Sequence, residues 1–214
     1  MFEHLTTAPD DPILGLNEKF KQDQRPHRVN LIVGVYQDET GEIPEFQAVS
    51  EARRRINSNV KANYLGIDGD PAYSKLASEL LLGAESPRFR TGNWVAAQSL
   101  GGTGGLRVVA DFLARCQVTT TIWHTNPTWV NHQSIFNAAG LQTKAFPYLD
   151  AAGKGLDFDG MLAALEQIPS GDAVLLHGCC HNPTGVDPSP DQWQAIIDVL
   201  KQRRLLPILD CAYQ

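Results

Sequence analysis

Residues 173–210 read AVLLHGCCHNPTGVDPSPDQWQAIIDVLKQRRLLPILD. An apolar run, Ala173 to Cys179, enters a loop punctuated by Asn182-Pro183 and Gly185. Trp193, Ile196, Ile197 and Leu200 then recur at helical spacing, and a second apolar run, Leu205 to Leu209, follows. Short apolar runs separated by an amphipathic helix predict a strand–helix–strand unit with its strands parallel. Asp210 and Tyr213 stand at the carboxyl end of the second run, the edge where open α/β sheets bind ligands.

The same alternation extends upstream. Asp70-Pro71 predicts a helix start, with an N-cap and proline at the first helical position; Leu76, Leu80 and Leu81 follow, and Gly83 stops it. Trp94 to Leu100 reads as a strand, and Leu106, Val109, Ala110 and Leu113 repeat at helical spacing. Then come a strand at Val118 to His124, a helix around His132 to Ala139 stopped by Gly140, and a helix from Phe158 to Ile168. This order predicts an α/β fold, a mostly parallel sheet flanked by helices. Residues 1 to 30 are polar and proline-punctuated and read as an arm, and Asn30 to Tyr36 as a short strand before a turn at Asp38 to Gly41. The expected organisation is an arm with the start of a small domain over residues 1–42 and part of a large domain over 43–214.

Composition narrows the function. A hydrophobic content of 43% with 20% charge is ordinary for a soluble globular chain. The net charge of −6 offers no basic stripe for nucleic acid, and the densest clusters, Arg53 to Arg55 and Arg203-Arg204, read as solvated helix faces. No apolar run is long enough to span a membrane, and Met1 to Pro12 has no signal-peptide core. Cys116, Cys179, Cys180 and Cys211 lack a disulfide framework, which fits a cytoplasmic location.

Three loops carry chemistry. Gly101 to Gly105 (Gly-Gly-Thr-Gly-Gly) joins a strand to an amphipathic helix, where glycines allow close backbone approach and free amides face an anion. It is either a phosphate cradle, with the Thr103 hydroxyl as a further donor, or a plain tight turn. Neither a Walker loop nor a dinucleotide fingerprint fits its spacing. Asn126-Pro127-Thr128-Trp129 follows a strand end, placing an indole where it can stack on a flat ring or simply join the core, with His132 on the same helical face. His177 to Gly185 has the look of a metal site, but adjacent Cys179 and Cys180 would diverge along a strand, so no metal is expected. The Asn182-Pro183 bond is a candidate cis peptide that would project the Asn182 amide from a rigid loop. Asp210 is either a helix cap or a carboxylate for a cationic nitrogen. For Tyr213 to share a ligand with it, the chain must leave strand geometry near Cys211 or Ala212.

Together these segments resemble the pyridoxal-phosphate-dependent aminotransferases of fold type I, the aspartate and aromatic amino acid aminotransferase family. The resemblance runs through Asp11-Pro12-Ile13-Leu14, Val33-Gly34-Val35-Tyr36 and Asn63-Tyr64-Leu65-Gly66-Ile67-Asp68-Gly69. It continues through the Gly101–Gly105 loop, Asn126 to Trp129, Cys179 to Gly185 and Asp210 to Gln214. It implies pyridoxal 5′-phosphate as cofactor, held by Gly102 and Thr103 at its phosphate, by Trp129 against its ring, by Asp210 at its ring nitrogen, and by Asn182 and Tyr213 at its 3′ oxygen. His132 would stand behind Asp210. Tyr64 would reach the phosphate of the other subunit of a homodimer, and Gly34, Trp129 and Asn182 would face the substrate.

The implied reaction exchanges an amino group between L-aspartate, or an aromatic amino acid, and 2-oxoglutarate by a ping-pong mechanism. The family's Schiff-base lysine lies beyond the position of Gln214. The seven lysines here match other places, so the chain reads as the front part of a longer protein and is expected to be inactive alone. Alternatives are a non-catalytic truncated remnant or dimerisation module, and a metal-binding protein built on His177, Cys179, Cys180 and His181.

Overall fold

The structure is a computed structural model and describes residues 3, 4, 6, 14–30, 32, 34–56, 63–119 and 121–213. Its contacts form two compact units, Met1–Asn63 and Tyr64–Gln214. The first contains α1 (Leu14–Gln22) and α2 (Gln47–Arg55). Glu51 pairs with Arg54 and Arg55 one turn further along α2, and no residue of that helix is buried, as expected of a charged, solvated face. The strand anticipated over Asn30 to Tyr36 is not present at Gly34, Val35 or Tyr36; Leu31 and Val33, like Asp11-Pro12-Ile13, lie outside the described residues.

The second unit runs α3 (Pro71–Leu82), α4 (Pro87–Arg90), α5 (Gly101–Arg115), β1 (Thr121–Asn126), α6 (Asn131–Ala138), β2 (Gln142–Pro147), α7 (Phe158–Gln167), β3 (Ala173–His177), α8 (Pro190–Arg203) and β4 (Leu206–Asp210). All paired strands are parallel, in the order β2-β1-β3-β4. The chain steps one way from β1 to β2, then crosses back to β3 and continues to β4. The winding therefore reverses between β1 and β3, and this opens a crevice at their carboxyl ends.

Alternation along β3 divides the core. Val174 and Leu176 pack with Met161, Leu165 and Ile196 of α7 and α8, whereas Ala173 and Leu175 pack with Leu106, Ala110 and Phe136 of α5 and α6. Every residue of β3 is buried, as a central parallel strand covered on both faces requires. Helix starts follow their caps. The Asp70 carboxylate accepts the amides of Ala72 and Tyr73, and Ser189 with Gln192 forms a capping box ahead of α8.

Two further elements, both in the second unit, differ from the sequence expectation. Residues 93–99 form no strand: a strand exists through its ladder, and no described segment pairs with them along their length. Instead Gln98 folds against the turn at Gly66 to Gly69, its amide donating to the Asp68 carbonyl at 2.8 Å. Gly69 has φ +90°, and a Cβ there would meet Gln98 Cβ at 2.3 Å, so the turn admits no larger residue. Conversely β2, unremarkable in sequence as Gln-Thr-Lys-Ala-Phe-Pro, is the edge strand beside β1, where polar residues are tolerated.

Candidate functional site

The crevice at the carboxyl ends of β1, β3 and β4 holds a cavity of about 310 Å³. Gly102 and Thr103, in the first turn of α5, line one side. Trp129, three residues past β1, and Asn182, on the loop after β3, line others. His177 and Asp210 contribute the last residues of β3 and β4, with Ala212 and Tyr213 just beyond. The strand does end at Asp210, and a turn at Ala212-Tyr213 brings the phenol round: the Asn182 amide donates to Tyr213 Oη at 3.3 Å. A larger concavity of about 530 Å³ runs along α2 beside the paired Glu51 and Arg55 and is an open helix face.

Asp210 is oriented from behind. His132 Nε2 lies 2.9 Å from Asp210 Oδ2, the imidazole fully buried, and His132 Nδ1 is paired with Thr128 Oγ1 at 2.8 Å. Trp129 meets the His132 ring edge-on, centroids 5.3 Å apart. The hydrogen bond from His132 holds the Asp210 carboxyl below its ordinary range, against the opposing effect of burial. A carboxylate at this wall thus stays ionised while half-sheltered from water.

Elsewhere on the cavity wall, α5 begins without a side-chain cap: Leu100 occupies the capping position. The first amides of the helix are open to an anion, and space is free where a Cβ on Gly102 would stand.

The loop after β3 is clamped. Asp187 accepts the backbone amides of Cys180 at 2.7 Å and His181 at 2.8 Å. The His181 ring is held between Thr125 Oγ1 at 2.9 Å and Thr184 Oγ1 at 2.8 Å, and stacks on Tyr148 with centroids 3.9 Å apart. Burial, and then the neighbouring His177, depress its pKa to about 4. Between these anchors the Asn182–Pro183 bond is cis, as is Asn126–Pro127.

Six of the residues singled out from sequence, Gly102, Thr103, Trp129, Asn182, Asp210 and Tyr213, share the cavity wall, with His132 directly behind Asp210. Tyr64 is fully exposed and does not line the cavity; Gly34 is an exposed residue of the first unit. The four-residue set His177, Cys179, Cys180 and His181 does not assemble into a metal group among the described residues. Cys180 is exposed at φ +49°, and both His181 nitrogens are engaged by threonines.

His177, which the sequence offers only as a member of that set, lines the cavity with neither ring nitrogen hydrogen-bonded. Burial, then His132, keeps its pKa below the usual histidine value. Its signal in sequence was a lone polar residue closing an otherwise apolar strand.

The chain matches the profile of the Aminotransferase class I and II family over residues 26–214. It is 46% identical to the aspartate aminotransferase of Salmonella typhi and 44% identical to the aromatic-amino-acid aminotransferase of Escherichia coli, covering all of this chain and 54% of each relative. The crystal structure of an aromatic-amino-acid aminotransferase from Burkholderia pseudomallei, covalently bound to pyridoxal phosphate, superposes with a TM-score of 0.94 at 48% identity. Cytoplasmic aspartate aminotransferase of Saccharomyces cerevisiae does so with 0.94 at 34%. The chain spans about half the length of the curated relatives it matches. With its parallel sheet, its strand-end cavity and a family match across most of its length, the chain belongs to the class I and II aminotransferases.

Proposed function

We propose that this chain supplies the cofactor-binding wall of an enzyme that moves an amino group between L-aspartate, or an aromatic amino acid, and 2-oxoglutarate on pyridoxal 5′-phosphate. The observation that carries this reading is the Asp210 carboxylate, backed by the buried His132, sharing one cavity with the uncapped start of α5. The donor set fits the group: open helix amides and the Thr103 hydroxyl suit a phosphate, Trp129 suits a flat ring, and an ionised carboxylate suits a protonated ring nitrogen. The cofactor, when bound, supplies an electron sink for the carbon that loses its proton.

The chain's own residues bind and orient it. Asp210, held by His132, retains the proton on the ring nitrogen. Asn182 and Tyr213, already joined to each other, donate to the 3′ oxygen. Trp129 and Asn182 also face the substrate, and Gly34 of the first unit keeps the substrate-facing role that the resemblance implies for it. Tyr64 reaches a phosphate in the second subunit of a homodimer, a role compatible with its full exposure. Residues 1–42 then form the arm and small-domain segment, and 43–214 the amino-terminal part of the large domain. Four free cysteines suit a cytoplasmic setting, and among the described residues no helix is long and apolar enough to cross a membrane.

Among the described residues no lysine lines the cavity, so no described lysine is assigned the covalent role. The chain by itself is expected to bind pyridoxal phosphate reversibly, with one equivalent quenching tryptophan fluorescence, without turnover and without a borohydride-fixed adduct at a single lysine. Thr103→Val and Asp210→Asn weaken that binding. A folded chain that does not bind the cofactor, or binds it equally well after both substitutions, refutes the reading.

A further inference from the structure

Among the described residues, both ring nitrogens of His177 are buried without a hydrogen-bond partner, although the residue is only 6% exposed and lines the cavity. Burying polar atoms in this way is unfavourable unless something approaching from the cavity engages them. One His177 nitrogen, one nitrogen of His132 and one carboxylate oxygen of Asp210 lie within 4.8 Å of one another. We propose that the cofactor-free chain binds one divalent transition-metal ion of the zinc class on His132 Nε2, His177 and Asp210, at the wall that the cofactor's ring would face.

Two imidazoles and a carboxylate are the donors zinc takes at sites that leave one position open, here toward the cavity. Tetrahedral bonds of about 2.0–2.1 Å hold donors about 3.3 Å apart. His132 Nε2 and Asp210 Oδ2, at 2.9 Å, are near that separation already, and the His177 nitrogen, within 4.8 Å of both, has to move closer for the ion to be held by all three. A metal on Nε2 leaves the ring's single proton on Nδ1, where Thr128 Oγ1, 2.8 Å away, accepts it. Such an outer hydrogen bond fixes the tautomer that a metal-bound imidazole needs. Imidazole donors select zinc, cobalt, nickel or copper over magnesium and calcium. The cysteines are not part of the group. Mutual exclusion between ion and cofactor rests on the proposed function; the ion site itself does not.

The test uses the purified 214-residue chain, freed of cofactor, with zinc followed by calorimetry and cobalt(II) by visible absorbance. One equivalent binds, giving intense tetrahedral cobalt bands. His177→Ala and His177→Gln weaken it roughly tenfold or more, and Thr128→Val about tenfold. Pyridoxal phosphate displaces the ion. Absence of binding by the folded wild type, binding unchanged in folded His177 variants, or weak octahedral cobalt bands would overturn the site. Should both His177 variants unfold, the cobalt spectrum of the wild type decides alone. Zinc held through His177 that pyridoxal phosphate fails to displace overturns the shared position. Failure of pyridoxal phosphate to bind the metal-free chain refutes the functional reading and leaves the metal site standing.

Discussion

His132 Nε2 and Asp210 Oδ2 lie 2.9 Å apart across 78 positions of sequence, joining α6 to the end of β4. Asp210→Ala strips a fully buried imidazole of its partner, and the expected loss is about 1–3 kcal/mol in urea unfolding. Asp210→Asn, which keeps an acceptor oxygen, recovers part of it. An unchanged midpoint for Asp210→Ala would show that the contact does not form.

His181 makes the fold acid-sensitive. The residue is 2% exposed with its pKa at about 4 in the folded chain, against 6.5 for the ordinary group. The unfolded chain takes up this proton first as pH falls. Stability is therefore whole above about pH 6.5 and declines toward pH 4, by on the order of 3 kcal/mol. Urea midpoints at pH 7, 5.5 and 4.5 measure the slope. It is reduced in His181→Gln, the buried His177 and His124, whose pKa values burial also lowers, keeping the remainder; a slope unchanged in that variant assigns the effect elsewhere.

Asp187 holds two consecutive amides of the loop that carries Asn182. Asp187→Ala releases both, at a cost of about 1–3 kcal/mol. Hydrogen exchange should quicken at the Cys180 and His181 amides while the core strand β3 keeps its protection. Equal protection of those two amides in the variant contradicts the clamp.

Gly178 and Cys211 are adjacent across the parallel strand ends, and a Cβ on residue 178 would stand 2.5 Å from Cys211 Sγ. Gly178→Ala is expected to destabilise by about 1–3 kcal/mol through overpacking. Cys211→Ala removes the obstructing sulfur, so the double variant should recover more than about 0.5 kcal/mol relative to additivity. Strict additivity of the two substitutions disproves the clash.

Some elements were legible because their signals are local. The helix start at Asp70-Pro71 and the repeat of Leu106, Ala110 and Leu113 lie within a few residues of themselves, and so does the buried run Ala173 to His177. Trp94 to Leu100 misled because an apolar run says nothing of whether a ladder partner exists. β2 escaped because an edge strand shows weak alternation. Gly102, Thr103, Trp129, Asn182 and Asp210 were recognisable as residues at strand and helix ends, where punctuation is strong. His177 was not, since its significance depends on standing opposite Asp210 in the β3–β4 register.

The amino-acid order by itself determined the main helices of the second unit and the strands β1, β3 and β4, though not all of their ends, and therefore that several polar groups would collect at one edge of a sheet. Periodicity and capping depend on neighbours within about one turn, so they survive without any tertiary context. Only the folded structure decided that β1 lies between β2 and β3, and that His177 stands beside His132 and Asp210 with its nitrogens unpaired. Those relations arise from packing two helical layers on a twisted sheet, where separations of tens of residues collapse to a few ångströms and side-chain direction is set by the register of strands.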